Sequence, residues 1–412
     1  MPRTSYSVLI CGAGIAGPAL AYWLSRAGFE VTIVERAAAP RSGGQAVDIR
    51  GAARDVVERM GLLAVIKAAG LNEHGFAFID EHGRHQASMP VDFLGGEGIV
   101  AEIEILRGEL SRILYERTRD HAEYRFADSI ESLVQDDDCV HVTFVNSSPR
   151  RFDLVVGADG VHSRTRALAF EGDESRWVAP LGGYTAYFTL PCSIETGNWF
   201  VMHNAPGGRL IGVRPGGPRA VQVMLSFLCP PRGYERQSAS AQKKLLREVF
   251  AGVGWIAPCV LQEMSSAHDF YFDLIAQVRL HRFTSGRVAL VGDAAYSPSP
   301  VTGLGTSLAL VGAYVLAGEL ARSSGAYDVA FARYESVMRD YVKQCQELPP
   351  GGLEGMLPRT RRAIGMRNLS MRMMMRWPVR NLVARLFQKA DAIALQDYAT
   401  SAPADLSMAA TL

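Results

Sequence analysis

The stretch Ser7-Val8-Leu9-Ile10-Cys11-Gly12-Ala13-Gly14-Ile15-Ala16-Gly17-Pro18 decides how this chain folds. Its first five residues form an apolar, strand-like run, and the glycine turn opens a helix-like stretch from Pro18 to Ala27 that Gly28 ends. A second apolar run, Phe29 to Val34, leads directly into Glu35. Strand, glycine turn, helix, strand and acidic residue follow in the order of a dinucleotide-binding βαβ unit. In such a unit Gly12 permits the tight turn, Gly14 lets the backbone approach a pyrophosphate, and Gly17 lets helix and strand pack closely. Ile15 and Ala16 carry N–H groups at the positive end of the helix dipole, and Glu35 would accept hydrogen bonds from a ribose hydroxyl. Pro18 falls in the first helical turn, where no N–H is needed. The glycines and Pro18 break residues 8–24 too often for a signal peptide, and only Arg3 precedes them.

At 412 residues the chain is long enough for two domains or one elaborate one. Its 48% hydrophobic and 21% charged residues are those of an ordinary soluble protein. A net charge of +1 gives no reason to expect nucleic acid or an acidic membrane surface as partner. The six cysteines (11, 139, 192, 229, 259 and 345) include no CxxC pair and no nearby His cluster. That pattern argues against a metal site or a disulfide framework and favours a reducing, cytoplasmic setting. No apolar run reaches the ~18–20 residues of a membrane span.

Beyond Glu35, Arg36 to Gly44 reads as a loop, and Asp48 follows in apolar surroundings before a helical segment from Ala52 to Ala69. Residues 74–100 read as a small β region with a turn at His82-Gly83 and a return at Gly95-Gly96. The spacing of Ile105, Leu106, Leu110, Ile113 and Leu114 predicts a helix over residues 103–119, with Arg107 near its start. Tyr124 to Val145 reads as short strands around the acidic turn Asp136-Asp137-Asp138, and Phe152 to Gly160 as a buried strand ending in an Asp-Gly turn. From Tyr184 to Leu228 strand follows strand, carrying Tyr184, Tyr187, Phe188, Trp199, Phe200 and Phe227. Two helical stretches, 241–253 and 258–264, return the chain to the strand Val288–Val291, which Gly292-Asp293 closes. Helices then run from about Gly305 to Ser323 and on to about Glu347. After a linker at Pro349-Pro350-Gly351-Gly352, residues 358–397 read as helical and basic, with methionines at 366, 371, 373, 374 and 375 that suit gap-filling.

Two further stretches stand beside the opening glycines: Asp159-Gly160-Val161-His162-Ser163-Arg164-Thr165-Arg166, and Gly292-Asp293 through Pro300, Gly303, Leu304 and Gly305. With the first, they strongly resemble the three fingerprints of the single-component (group A) FAD-dependent monooxygenases, the para-hydroxybenzoate hydroxylase group. Arg41, Gly43, Gly44 and Asp48 make the loop most similar to that of the tetracycline-inactivating flavin monooxygenases. The resemblance spans most of residues 5–345. It implies an α/β fold: a Rossmann-like FAD-binding domain of the glutathione reductase type, a β-sheet substrate domain and a long C-terminal helix. On that division residues 1–74, 101–180 and 276–347 build the FAD-binding domain, 75–100 and 181–275 the substrate domain, and 348–412 the helical end.

The likeness further implies that Gly12, Gly14, Ile15, Ala16, Gly17, Glu35, Arg36, Asp48, Arg107 and Asp293 contact FAD, and that Arg41 helps admit NAD(P)H. Asp159 belongs to a motif that the family assigns to both nucleotides, although its plain reading is a turn residue. Pro300, Gly303, Leu304 and Gly305 would hold negative charge near the flavin N1–C2=O edge at a helix N-terminus. Tyr296 and Ser307 depart from the family pattern, which has His and Asn there, and by analogy lie beside the flavin. His162 reads as structural.

The expected reaction uses NAD(P)H to reduce FAD and O₂ to form a C4a-hydroperoxyflavin, which passes one oxygen to a substrate; no catalytic side chain is named. A sheet lined with aromatics suits a flat, largely apolar aromatic or polyketide-like molecule, with His203, Arg209 and Arg214 to orient a phenolate or enolate and Phe227 as a further contact. Hydroxylation leads; Baeyer–Villiger insertion, epoxidation and a flavin-retaining non-redox cyclase are the alternatives. The protein would be a monomer or dimer. Halogenase chemistry is disfavoured because Trp255-Ile256-Ala257-Pro258 only partly echoes the halogenase stretch, and disulfide reduction because no redox Cys pair is present.

Overall fold

The computed structural model describes residues 6–41, 43–91, 103–191, 194–217, 219–324, 326–375 and 393–398. A six-stranded sheet carries the opening motif. Its strands lie in the order Thr284–Ser285, Val288–Leu290, Leu154–Gly157, Ser7–Cys11, Glu30–Glu35 and Glu123–Phe126. All neighbours are parallel except the short Thr284–Ser285 edge. Ser7–Cys11 is central and covered on both faces, which is why Val8, Leu9 and Ile10 are fully buried and the strand reads as an unbroken apolar run. Helix Ala16–Arg26 makes the first crossover and packs against Gly305–Arg322. The latter is rich in Ala, Leu and Gly on every side because it is buried over nearly its whole length.

A seven-stranded sheet forms the second layer, in the order Tyr271–Val278, Val178–Leu190, Val221–Leu228, Arg209–Pro215, Trp199–Ala205, Gly75–Ile79 and His85–Pro90. The hairpin Gly75–Pro90 joins it through a parallel pairing to Trp199–Ala205. This sheet has two apolar faces. Ile211, Val213, Leu225 and Phe227 pack against helices Ala239–Val249 and Ala257–Glu263. Phe76, Phe78, Met202, Leu210 and Met224 occupy the opposite face, with Met371 of helix Arg361–Met374.

The structure redraws several boundaries. Residues 52–69 form two helices, Ala52–Arg59 and Leu63–Ala68, separated where Gly61 turns left-handed at φ 70°. Residues 104–106 are not helical: Glu104–Leu106 pairs with Ala46–Asp48, and the helix starts at Arg107 and runs to Thr118. Strands Val178–Leu190 and Tyr271–Val278 both cross the expected division at 181 and 275, so the second sheet takes in residues on either side of it. Within the expected linker and beyond, Gly352–Met356 is a short helix.

The C-terminal helix spans Arg361–Met374, where Met371 is buried while Met366 and Met373 stand exposed. Residues 393–398 are not helical; Tyr398 packs on Tyr314 and donates to Glu319 Oε1 at 2.7 Å, tying this end to the first layer. The Gly95-Gly96 turn, Cys192 and residues 376–392 of the expected basic helix lie outside the described residues.

Candidate active site

A cavity of about 1650 Å³ opens between the two sheets at the carboxyl ends of the parallel strands. It is larger than the roughly 300–1,000 Å³ of a pocket for one drug-sized ligand, so it has room for a dinucleotide and a second molecule. Its wall includes Gly12, Gly14, Ile15, Ala16, Glu35, Arg36, Arg41, Asp48, Arg107, Asp159, Asp293, Pro300, Gly303, Leu304 and Gly305, which span almost three hundred positions of sequence.

The glycines divide the work of the turn. Gly12 has φ 110°, and a Cβ there would stand 2.5 Å from the Ala158 carbonyl oxygen. A Cβ on Gly17, which does not line the cavity, would run into the Gly12 carbonyl. Gly14 differs: a Cβ there would meet only Arg107 Nη2, at 3.4 Å. The space over Gly14 is therefore open, with a guanidinium across it. Helices Ala16–Arg26 and Gly305–Arg322 both begin at this cavity without a side-chain cap, so each leaves first-turn N–H groups free. Glu35 Oε2 accepts from Ala13 N and Oε1 from Ala37 N, both at 2.9 Å, which fixes its carboxylate at the strand end. Uncapped helix starts, a facing guanidinium and a positioned acid together fit a pyrophosphate and a ribose.

Further along, Asp48 pairs with Arg50 at 2.6 Å, and a Cβ on left-handed Gly303 (φ 68°) would stand 3.1 Å from Asp48 Oδ2. Asp293 opens onto the cavity; the surrounding protein raises its pKa, Ser297 and Arg107 pull it back, and Asp273 pushes it up. Asp159 is engaged locally: Ser163 Oγ donates to Oδ1 at 2.5 Å, while Thr165 N and Oγ1 donate to Oδ2 at 2.9 and 3.0 Å. Both its oxygens thus hold the start of helix Arg164–Ala169. Arg166, almost wholly buried, donates to the carbonyls of Val161 at 2.6 Å and Ala294 at 2.9 Å, locking the Asp-Gly loop to the Gly-Asp loop.

Several expectations for side chains are corrected. His203 faces away from the cavity: it is buried, hydrogen-bonds Ile79 O at 3.1 Å and lies beside Trp255. Phe227 stacks with Tyr184 at 5.6 Å between ring centroids, on the face covered by helices. Neither lines the cavity, because alternate residues of a strand point to opposite faces and their even-numbered neighbours took the cavity side. Arg209 donates to the carbonyls of Pro206 and Val249.

Arg214 does reach the cavity wall, but its Nη2 is shared by Glu104 Oε1 at 2.8 Å and Glu73 Oε2 at 3.0 Å. Burial alone would lower the Arg214 pKa, and the two carboxylates more than offset it; burial in turn raises both glutamates. Tyr296 and Ser307 are behind the wall rather than beside it. Tyr296 OH lies 2.8 Å from Tyr334 OH in the core, in space left by Gly312, and Ser307 donates to Arg50 O at 3.3 Å.

Two features carried no local signal. His162 lies between Asp273, 3.0 Å from Nε2, and Glu174 at Nδ1; those contacts, Asp273 first, raise its pKa to about 9 against the cost of burial. Tyr271 OH donates to Asp273 Oδ2 at 2.5 Å, completing a cluster assembled from positions over a hundred residues apart. At the apolar end, Arg367 stacks 3.6 Å above the Phe78 ring and, among the described residues, donates to the amide oxygens of Asn204 and Asn368. Burial lowers its pKa to about 10. It is a half-buried cation on the cavity wall whose hydrogen-bond partners among the described residues are all neutral.

Known proteins identify the class that this fold and site define. Residues 5–347 match the FAD binding domain family. An uncharacterised Mycobacterium tuberculosis protein is 41% identical over 356 residues, covering 85% of this chain and 95% of its own. A flavin-dependent monooxygenase from an unidentified prokaryote is 39% identical, over 84% of this chain and 89% of its own. The crystal structure of the tetracycline destructase Tet(51) superposes with a TM-score of 0.81 at 34% identity, covering 95% of this chain and all of that one. The chain belongs to the FAD-binding-domain family of flavin-dependent monooxygenases. It is an FAD-dependent enzyme, and the cradle over Gly14 fits that dinucleotide.

Proposed function

We propose that the protein is an NAD(P)H-dependent monooxygenase that hydroxylates a flat, largely apolar aromatic or polyketide-like molecule bearing one acidic group. The observation that carries this reading is that a single cavity joins the dinucleotide cradle to the apolar face of Phe76, Phe78, Met202 and Leu210. When bound, FAD supplies the redox chemistry, taking reducing equivalents from NAD(P)H and passing one atom of O₂ to the substrate. The chain's part is binding, orientation and exclusion of water.

Gly14 and the start of helix Ala16–Arg26 receive the pyrophosphate, with Arg107 facing it; Glu35 takes the ribose, and Asp293 the ribityl chain. Gly303, Leu304 and Gly305 present positive backbone dipole to the ring edge. Arg36 and Arg41 line the nucleotide end, and Arg41 meets the nicotinamide donor. Arg367 faces a phenolate or enolate, because Arg214 is already neutralised by Glu73 and Glu104. The likeness to a tetracycline destructase supports a polycyclic phenol–enol as the first substrate class to try. The five described cysteines are free, which supports a reducing compartment. Among the described residues no helix is long and apolar enough to cross a membrane.

The test is a screen of aromatic and polyketide compounds under labelled O₂. The reading expects stimulated NADPH consumption with one labelled atom in a hydroxylated product. Ring-expanded lactone or epoxide products would replace hydroxylation, and NADPH consumption that yields only peroxide with every compound would count against the substrate class.

A further inference from the structure

Away from the cavity, the hairpin of strands Ile130–Gln135 and Val140–Phe144 ends in a turn that brings together three different metal-ligating side chains, Asp136, Cys139 and His141. Asp136 Oδ2 lies 2.5 Å from His141 Nε2, Cys139 Sγ lies 3.6 Å from the same nitrogen, and Sγ and Oδ2 are 3.9 Å apart. Once a cation replaces the proton between Asp136 and His141 and that pair opens to about 3.3 Å, all three atoms can stand about 2.0–2.3 Å from one point at tetrahedral angles, the lengths of zinc bonds to oxygen, nitrogen and sulfur.

The geometry is held without a metal. Asp136 Oδ1 accepts from Asp138 N and Cys139 N, both at 2.8 Å, which turns Oδ2 toward the histidine. Cys139, immediately before the strand, and His141, within it, are two apart and lie on the same side of the hairpin end. An aspartate turn accounts for Oδ1, while Oδ2 accepts from His141 Nε2 and Cys139 Sγ, protons that a cation would replace at the same three atoms. Asp137 and Asp138 add negative charge around the exposed turn.

We propose that Asp136, Cys139 and His141 form a surface site for a thiophilic divalent cation, with Zn²⁺ as the best match. One soft sulfur, one imidazole and one carboxylate suit Zn²⁺, whereas Mg²⁺ and Ca²⁺ take all-oxygen shells. Binding releases the thiol proton, since the ligand is the thiolate, and takes the imidazole neutral. The fourth position faces solvent and is filled by water. The hairpin's other end, at Asp128, Ser129 and Ile130, lines the cavity, about 17 Å away along the strand. The site is therefore separate from the flavin chemistry, and its argument does not depend on the oxygenation reading.

The experiment titrates FAD-loaded protein with Zn²⁺ against a chromophoric chelator, and counts reactive thiols with and without Zn²⁺. The wild type is expected to hold one equivalent that Cys139→Ser removes and that His141→Ala weakens by at least about tenfold. One thiol should become protected by Zn²⁺ in the wild type and not in Asp136→Asn, whose amide oxygen can still accept the turn hydrogen bonds. Equal Zn²⁺ uptake by the wild type and the Cys139→Ser/His141→Ala double variant overturns the site. So does a wild-type thiol count that Zn²⁺ leaves unchanged.

Discussion

Gly14→Val separates cofactor binding from folding. Gly14 is not in a left-handed conformation, and a Cβ there would meet only the end of Arg107, so a β-carbon is compatible with the backbone at this position. What the side chain fills is the space over two backbone N–H groups at the start of helix Ala16–Arg26. Charge-assisted hydrogen bonds of this kind contribute about 1.5–3 kcal/mol each, so losing two costs about 3–6 kcal/mol of binding. That is about a 10²- to 10⁴-fold rise in the FAD Kd.

The assay is flavin fluorescence quenching on apoprotein, with thermal unfolding of the same apoprotein alongside. The expected result is colourless protein whose apoprotein Tm matches the wild type. Gly17→Val supplies the contrast: its side chain would strike the Gly12 carbonyl, so it should unfold the domain rather than merely empty it. A Gly14→Val protein that retains FAD with the wild-type Kd would refute the assignment of the pyrophosphate to that turn.

Three further changes test other parts of the account. His162 is raised from 6.5 to about 9, so its pairing with Asp273 and Glu174 stabilises the fold fully below pH 6.5 and is lost as pH rises through about 9. Because the side chain is 44% exposed, screening limits the effect to about 1 kcal/mol. His162→Gln should therefore show a lower Tm than wild type at pH 6, with the gap closing by pH 10; a gap that widens with pH contradicts the pairing. Arg214→Gln leaves Glu73 and Glu104 buried without their cation and should destabilise the apoprotein by about 3–5 kcal/mol in denaturant unfolding; an unchanged midpoint would show that the triad is not structural. Arg367→Gln should leave FAD content unchanged while raising KM for an acidic substrate by about 10- to 100-fold, and an equal effect on its neutral analogue would remove the charge argument.

How far the sequence could be read depended on whether the signal was local. Residues 7–35 showed their fold because strand period, glycine turn and acidic residue all fall within one short crossover. Gly303 to Gly305 were readable as a helix start for the same reason. The second sheet was visible as strands, but which face each side chain takes was not. Both of its faces are apolar, one against helices and one against the cavity, so alternation could not tell Met202 from His203. Arg214 could not be seen as neutralised, since its partners lie 141 and 110 residues away. Arg367 lies beyond the family match at residue 347 and looked like one more basic position on a surface helix. Glu104 was misread as helical because a three-residue strand is too short to show a period of two.

Anaerobic mixing of the FAD-loaded protein with NADPH tests the central claim most directly. The account predicts that the yellow colour bleaches on mixing and returns when O₂ is admitted. A bound flavin that stays oxidised with both NADPH and NADH, with and without aromatic ligands, would contradict it.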